Sequence, residues 1–136
     1  MDSPVRTYPA PGTLDDLLGF ELLEASPERC RGRFPVEQRV QQPLGLVHGG
    51  AYAAFGESLV SATTHLAVEG EGNFAVGQSN STSFFRPATE GIVHAEATPI
   101  HRGRTTWVWD VRFTDDDDRL LASSRITMAV RPVPTS

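Results

Sequence analysis

The feature that most constrains the fold is one long helical segment near the middle of the chain, residues 49–68. Its apolar residues recur every three to four positions, which is the spacing of one helix face. Gly70 and Gly72 follow it as helix-ending residues. The recurring apolar residues are Ala51, Ala54, Phe55, Leu59, Ala62 and Leu66. A helix of this length must bury its apolar face against whatever the rest of the chain forms.

The segments on both sides of this helix have the patterns of β-strands. Residues 20–25 and 30–36 are predicted to form a hairpin, after a short helix with a capping box from Thr13 and Asp16. Four further strands, and no second helix, are predicted over residues 73–85, 91–101, 104–114 and 119–131. Because their connections are short, we expect sequential strands to pair as hairpins. The sequence therefore predicts an α+β fold, with an antiparallel sheet of about six strands wrapped around one long helix.

Length, charge and cysteine content limit the classes of function. The 136 residues, 39% of them hydrophobic, fit one domain, with residues 1–12 as a flexible lead. The net charge of -5 predicts no nucleic-acid or anionic-membrane partner, because proteins that bind such partners have a basic face. The N-terminal residues have no apolar signal core, and no run of about 18 apolar residues occurs. Because Cys30 is the only cysteine, we expect no intramolecular disulfide and a cytoplasmic location.

Several residues that could carry chemistry have a simpler structural interpretation. Residues 115–118 are four aspartates without the glycine and distal glutamate of a calcium loop, which favours a solvated turn. Ser58 lacks the glycines of a nucleophile elbow. His65, His94 and His101 are interpreted as structural, since nothing in the sequence groups them into a metal triad. No metal site is predicted.

The start of the long helix combines two chemical functions. A helix N-terminus presents unpaired N–H groups and positive dipole charge, and the glycines in His48-Gly49-Gly50 let a ligand oxygen approach the backbone. Glu57 lies eight residues after Gly49, among small residues, and a carboxylate buried there beside an apolar pocket can act as general base or nucleophile. An oxyanion donor and a carboxylate are what acyl transfer to water requires. The alternative, that Glu57 is an ordinary surface residue of an amphipathic helix, stays open on these grounds.

The spacing of these two functions sets a geometric condition. At about 1.5 Å rise per residue, Gly49 and Glu57 are about 12 Å apart along one helix, too far to act on one carbonyl group. If they act together, they must come from different subunits. We therefore expect an obligate dimer in which the glycine end of one helix faces the carboxylate of the other, giving two equivalent sites.

The stretch QPLGLVHGGAYAAFGES, residues 42–58, resembles the pattern Q-P-x-G-x-x-H-G-G-x-x-x-x-x-x-E-S of the hotdog-fold acyl-CoA thioesterases. The resemblance is to the branch with 4-hydroxybenzoyl-CoA, phenylacetyl-CoA and 1,4-dihydroxy-2-naphthoyl-CoA thioesterases, and it covers residues 14–130. The segments FFRPATEG, HRGRTTWVWDVRF and SSRIT resemble the strands that line the coenzyme A groove. The resemblance implies hydrolysis of acyl-CoA thioesters with aromatic or medium-sized acyl groups. It also implies tetramers made of two dimers, and no metal or separate cofactor, because coenzyme A is part of the substrate.

Carried over position by position, the resemblance implies a role for each residue of the motif. Glu57 would attack the thioester carbon or activate water, while the Gly49 N–H holds the carbonyl oxygen. Gln42 and His48 would flank that oxygen or the departing sulfur. Ser61, where relatives often have threonine, would position water or tune the carboxylate. The candidates for binding the coenzyme A phosphates are Arg86, Arg104, Thr105, Thr106 and Arg125.

Two other functions are compatible with the same fold. One is a hotdog hydratase or dehydratase of acyl-CoA or acyl-carrier thioesters, whose different pairing of an acid and a histidine is not seen around this helix. The other is a protein that binds acyl-CoA in the same pocket without turnover. The sequence sets neither the acyl group nor the choice between a covalent and a general-base role for Glu57.

Overall fold

A computed structural model describes residues 8–135, so residues 1–7 of the predicted lead lie outside it. The helices are α1 (Leu14–Leu17) and α2 (Gly49–Val68). The strands are β1 (Glu21–Ser26), β2 (Arg29–Pro35), β3 (Asn73–Phe84), β4 (Ile92–Arg102), β5 (Thr106–Thr114) and β6 (Leu120–Pro132). The predicted α+β class, with one long helix and six antiparallel strands, is confirmed. Neither helix in the described part of the chain is long and apolar enough to cross a membrane.

Helix α2 has the predicted bounds. It begins at Gly49, where the N-cap residue His48 accepts a hydrogen bond from the Gly50 N–H through Nδ1 at 2.8 Å. A single 3-10 turn (Glu69–Glu71) follows, and the chain leaves the helical conformation at Gly72 with a φ of 78°, where glycine is favoured. The helix is buried on more than the one predicted stripe, since Thr63 and Thr64 are also buried. The reason is that α2 packs against all six strands, so the sheet wraps around it.

The strands form one sheet in the order β1-β2-β4-β5-β6-β3. Three predicted hairpins, β1 with β2, β4 with β5 and β5 with β6, are confirmed. The predicted hairpin between β3 and β4 is wrong, because β3 pairs with β6 at one edge and β4 pairs with β2. In the sheet β3 lies three strand spacings from β4, a distance of about 14 Å at about 4.8 Å per spacing. The connecting residues 85–91 can span about 23 Å when extended, so a short loop does not require neighbouring strands.

The core lies between α2 and the inner face of the sheet. Phe55 of α2 lies with its ring centroid 4.7 Å from Phe20 and 5.1 Å from Phe34. Trp109 of β5 is fully buried, and its indole N–H donates to the Thr64 hydroxyl at 2.9 Å. A Cβ atom at Gly56 would lie 3.0 Å from the Phe113 ring, so the helix and sheet approach closely there. These contacts fix which side of α2 remains outside the core.

The short helix α1 forms where it is predicted, but without the capping box. The Thr13 hydroxyl donates to the Ala10 carbonyl oxygen at 2.6 Å and does not cap the helix. The Asp16 carboxylate accepts instead from the Gly12 N–H at 2.9 Å. Both side chains of the predicted capping box thus form hydrogen bonds with the backbone of the bend before α1.

Candidate active site

Gly49 and Glu57 of the motif line two different cavities along helix α2. The first, which we call the glycine cavity, has a volume of ≈ 670 Å³ and is lined by Gln42, Val47, Gly49, Tyr52, Phe84 and Arg86, among others. The second, the glutamate cavity, has a volume of ≈ 330 Å³ and is lined by Tyr8, Asp15, Glu57, Ser58, Ser61 and His65, among others. A single chain therefore holds Gly49 and Glu57 in different cavities, as the helix spacing predicts.

The glycine cavity places the start of α2 against aromatic side chains. Gly49 is the first residue of the helix, so its N–H has no carbonyl partner within the helix. A Cβ atom at Gly49 would lie 2.8 Å from Cζ of Phe84, so a larger residue would displace that ring. Tyr52 is buried beneath the same cavity. The cavity offers an apolar site with a helix N-terminus at its wall, which suits a polarised carbonyl group.

Gln42 and His48 both have one polar atom engaged by the backbone. The Gln42 Oε1 accepts from the Leu44 N–H, which leaves its Nε2 amide as the group that can donate to a ligand. The His48 Nδ1 accepts from the Gly50 N–H, so Nε2 carries the proton in the neutral ring. Gln42 lines the glycine cavity, whereas His48 is exposed at the helix start outside it. The contact of His48 in this chain is thus the cap, and its role toward a substrate stays a prediction.

Glu57 lies on the exposed side of α2, next to strand β3. The Asn80 side-chain amide of β3 donates to the Ala53 carbonyl oxygen at 2.9 Å and to the Glu57 Oε1 at 3.4 Å. A Cβ atom at Gly77 would lie 3.0 Å from the Glu57 carboxylate, at the irregularity between Gly77 and Ser79 where β3 pairs with β6. The burial beside an apolar pocket that we expected for Glu57 is not present in one chain, where the residue is exposed. Sequence reasoning missed Gly77 and Asn80, although an asparagine within a strand is unusual.

Ser61 lines the glutamate cavity one turn after Glu57, but its hydroxyl does not contact that carboxylate. It donates to the Met128 sulfur at 3.6 Å. Because a thioether is a weak acceptor, the hydroxyl can turn to a better one at little cost. The proposed positioning of water by Ser61 therefore requires a rotation of its side chain.

Residues near the N-terminus form the opposite side of the glutamate cavity. The Ser58 hydroxyl donates to the Asp15 carboxylate at 2.6 Å and joins α1 to α2. Burial raises the pKa of the Tyr8 hydroxyl far above its usual range, and the nearby Asp15 carboxylate raises it further, so Tyr8 is neutral at all ordinary pH values. Tyr8 also packs against the core, although it falls within the lead predicted to be flexible. No sequence signal pointed to it, because its contacts depend on the placement of α1.

The candidate phosphate-binding residues lie at different points along the length of β6, and Arg125 is the one that belongs to this strand. The Arg86 N–H donates to the Leu121 carbonyl oxygen, while the Thr105 carbonyl oxygen accepts from the Val130 N–H. Those two positions on β6 are about 30 Å apart at the usual rise of a strand. Arg125 lies between them and donates to the Asp110 carboxylate at 3.0 and 3.4 Å, which raises its own pKa. Arg86 alone among the five lines a cavity that also holds a motif residue. The remaining two candidates, Arg104 and Thr106, flank Thr105 at the turn between β4 and β5.

A family model described as the thioesterase superfamily matches residues 44–122. The proofreading thioesterase EntH of Cronobacter turicensis is 35% identical over 119 residues, which are 88% of this chain and 86% of that protein. A crystal structure of a variant of thioesterase PA1618 from Pseudomonas aeruginosa matches with a TM-score of 0.86 and 38% identity, over 90% of this chain and 88% of that one. The structure of thioesterase HI1161 from Haemophilus influenzae matches with a TM-score of 0.86 and 31% identity, over 92% and 87%.

Proposed function

This chain belongs to the thioesterase superfamily and is a thioester hydrolase, and from that premise we propose that it hydrolyses acyl-CoA thioesters. The hotdog fold implied by the sequence resemblance is confirmed. The acyl groups we propose are aromatic or medium-sized, and the products are the free acid and coenzyme A. The observation that carries the proposal is that Gly49 and Glu57 line two different cavities along one helix, so that each cavity offers one of the two functions that acyl transfer to water requires.

In the proposed reaction, each site takes its two halves from different copies. The Gly49 N–H and the Gln42 Nε2 of one copy donate to the thioester carbonyl oxygen and stabilise the negative charge that develops there. Glu57 of the other copy either takes a proton from water, which attacks the carbon, or attacks that carbon itself and forms a mixed anhydride that water then hydrolyses. The carbon–sulfur bond breaks, the sulfur takes up a proton, and water supplies the hydroxyl of the acid. Ser61 turns from Met128 to hold the attacking water, and His48 donates from Nε2 toward the oxygen or the sulfur.

Strand β3 supplies the surface on which such a dimer can form. It is an edge strand of 12 residues, paired on one side with β6. A long edge strand exposes backbone N–H and C=O groups that favour pairing with another strand. Val76 and Phe84 on this strand are 48% and 55% exposed, which adds apolar area at the same edge. Pairing of two copies through β3 would satisfy these backbone groups and cover this apolar area.

One register of that pairing brings the two half-sites together. Suppose that two β3 strands pair antiparallel, with the two-fold axis between Asn80 and Ser81. Phe84 of one copy then lies opposite Gly77 of the other, because Phe84 and Gly77 are the same number of residues from that axis. Directly opposed residues in such a pair have Cβ atoms about 5 Å apart. In each copy Phe84 lies at Gly49 and Gly77 lies at Glu57. The glycine cavity of one copy would then open toward the glutamate cavity of the other.

We also propose that Arg86, at the glycine cavity, binds a phosphate of coenzyme A, because it lies beside the half-site for the carbonyl group. Arg104, Thr105, Thr106 and Arg125 are further candidates for the same task on neighbouring surfaces.

Two such dimers would associate into the tetramer implied by the resemblance. The polar, half-buried outer face of the sheet would supply the surface for that contact.

The test is release of free thiol from a panel of aryl-CoA and alkyl-CoA thioesters. We expect the wild type to hydrolyse one or a few members, and Glu57→Ala to lose about 10²–10⁴-fold in kcat while still binding the substrate. Glu71→Ala, which removes an exposed glutamate outside both cavities, serves as the matched control and should retain activity. Binding without turnover by the wild type would favour the acyl-CoA-binding alternative. Hydration of an enoyl-CoA would favour the hydratase.

A further inference from the structure

We propose that Tyr8 is a specificity-determining residue, whose ring forms a wall of the glutamate cavity and limits the size of the acyl group that the cavity accepts. This inference rests on the proposed function, in which the acyl group of a coenzyme A thioester lies beside Glu57. Tyr8 would then take part in substrate choice although it precedes the first described helix, α1.

The side chain of Tyr8 is the largest in the cavity wall. The other lining residues include Ala10, Ser58, Ser61 and Ala62, whose side chains are small. The cavity volume of ≈ 330 Å³ is near the lower end of the range of about 300–1,000 Å³ for ligand pockets. Removing the Tyr8 ring would therefore enlarge this cavity more than removing any other lining side chain.

The direction of the cavity follows helix α2. Glu57, Ser61 and His65 are successive lining residues four positions apart, so they lie in a row about 12 Å long on one face of the helix. An acyl group bonded at the carbon next to Glu57 would extend along this row. Tyr8 and Ala10 line the same space from outside the helix, so the width available to the acyl group lies between them and the row.

The wall is held in a fixed position. The Thr13 N–H and hydroxyl both donate to the Ala10 carbonyl oxygen, at 3.3 and 2.6 Å, which fastens the segment that follows Tyr8. The Ser58 hydroxyl fastens α1 to α2 through Asp15 at 2.6 Å. The Tyr8 ring packs against the hydrophobic core, and its hydroxyl oxygen is buried. A wall held from both sides selects by size, because it cannot yield to a bulkier group without losing these contacts.

The test compares two aryl substrates that differ by one fused ring, benzoyl-CoA and 2-naphthoyl-CoA, in the wild type, Tyr8→Ala and Tyr8→Phe. For Tyr8→Ala we expect the ratio of kcat/KM for naphthoyl over benzoyl to rise about tenfold or more, while Tyr8→Phe stays within about twofold of the wild type. An unchanged ratio in a folded Tyr8→Ala protein would overturn the inference. If that variant does not fold, Tyr8→Leu takes its place with the same criterion.

Failure of the proposed function would be recognised separately. The thioethers S-benzyl-CoA and S-(2-naphthylmethyl)-CoA cannot be hydrolysed, so the ratio of their dissociation constants measures the cavity without catalysis. If the wild type binds them but hydrolyses neither thioester, the proposed function fails, and the shift of this ratio in Tyr8→Ala still decides the role of Tyr8. If the wild type neither hydrolyses the two thioesters nor binds the two thioethers, the cavity does not accept aryl groups and the role proposed for Tyr8 is overturned.

Discussion

The carboxylate of Glu57 lies against strand β3, where the Asn80 amide and the absent side chain of Gly77 shape its surroundings. At Gly49 the ring of Phe84, also from β3, occupies the space that a side chain would take. In both places a glycine allows another group to approach the backbone. In each proposed half-site a residue of α2 thus lies against strand β3.

Gly49→Ala tests the glycine half-site. The added Cβ would lie 2.8 Å from the end of the Phe84 ring and would push it into the cavity where the carbonyl oxygen is expected. We predict a loss of about 10²-fold in kcat, measured by thiol release, because the oxygen would no longer reach the helix N–H groups. Gly70→Ala is the matched control, since a Cβ there meets no atom within 4 Å. Equal activities of the two variants would contradict this role for Gly49.

At the residue scale, the sequence pointed to candidate groups in the helix and just before it, but not to the groups that face them. Gln42, Gly49 and Glu57 belong to one local motif, so their spacing could be recognised. Tyr8 lines the glutamate cavity and Asn80 contacts Glu57 through tertiary packing, which no local pattern records. A motif can reveal one wall of a site, whereas the opposite wall depends on where distant segments lie.

Among the elements, the turn between β5 and β6 is stabilised by its own aspartates. The Asp115 carboxylate accepts from the backbone N–H groups of Asp117 and Arg119 at 3.0 and 2.9 Å, and from the Arg119 guanidinium at 2.8 Å. These bonds lower the pKa of Asp115 below 3.8, its ordinary value. A hydrogen bond from His94 lowers the pKa of Asp116 in the same way. The predicted solvated turn is confirmed, and its charges also contribute to its order.

Asp115→Ala should destabilise the protein in a pH-dependent way. A carboxylate with a lowered pKa in the folded state contributes stability that is present above its unfolded pKa, near 3.8, and is lost as the pH falls through its folded pKa. We predict a lower melting temperature for the variant than for the wild type at neutral pH, and a difference that shrinks well below 3.8. Thermal melts by circular dichroism across this range measure it. A difference independent of pH would mean that the carboxylate charge is not involved.

The elements themselves could be predicted from their periodicity, but their order in the sheet could not. The pattern of α2 placed both ends of the helix correctly, because its cap and its terminal glycines are local signals. The partner of β3 was missed, since a loop of seven residues fits a hairpin and a crossing equally well. That difference matters for function, because the crossing leaves β3 at the sheet edge, beside Gly49 and Glu57.

On the scale of the whole molecule, one copy holds both parts of the proposed hydrolytic site without bringing them together. Gly49 and Glu57 line different cavities, and the edge strand β3 exposes its Val76 and Phe84 side chains. Assembly of two copies through β3 would complete two sites at once. The helix spacing indicated this from the sequence, whereas the register that brings Phe84 opposite Gly77 required the contacts of the folded chain.

The most direct test of the shared site is complementation between two inactive variants, Glu57→Ala and Gly49→Ala. Each homodimer lacks one half of both sites, while a mixed dimer has one intact site, formed by Gly49 of the first variant and Glu57 of the second. With random assembly after co-expression, half the dimers are mixed and each has one of two sites, so we predict about one quarter of wild-type thioesterase activity. Activity no higher than the mean of the two separate variants would show that each site belongs to a single chain and would contradict the shared-site mechanism.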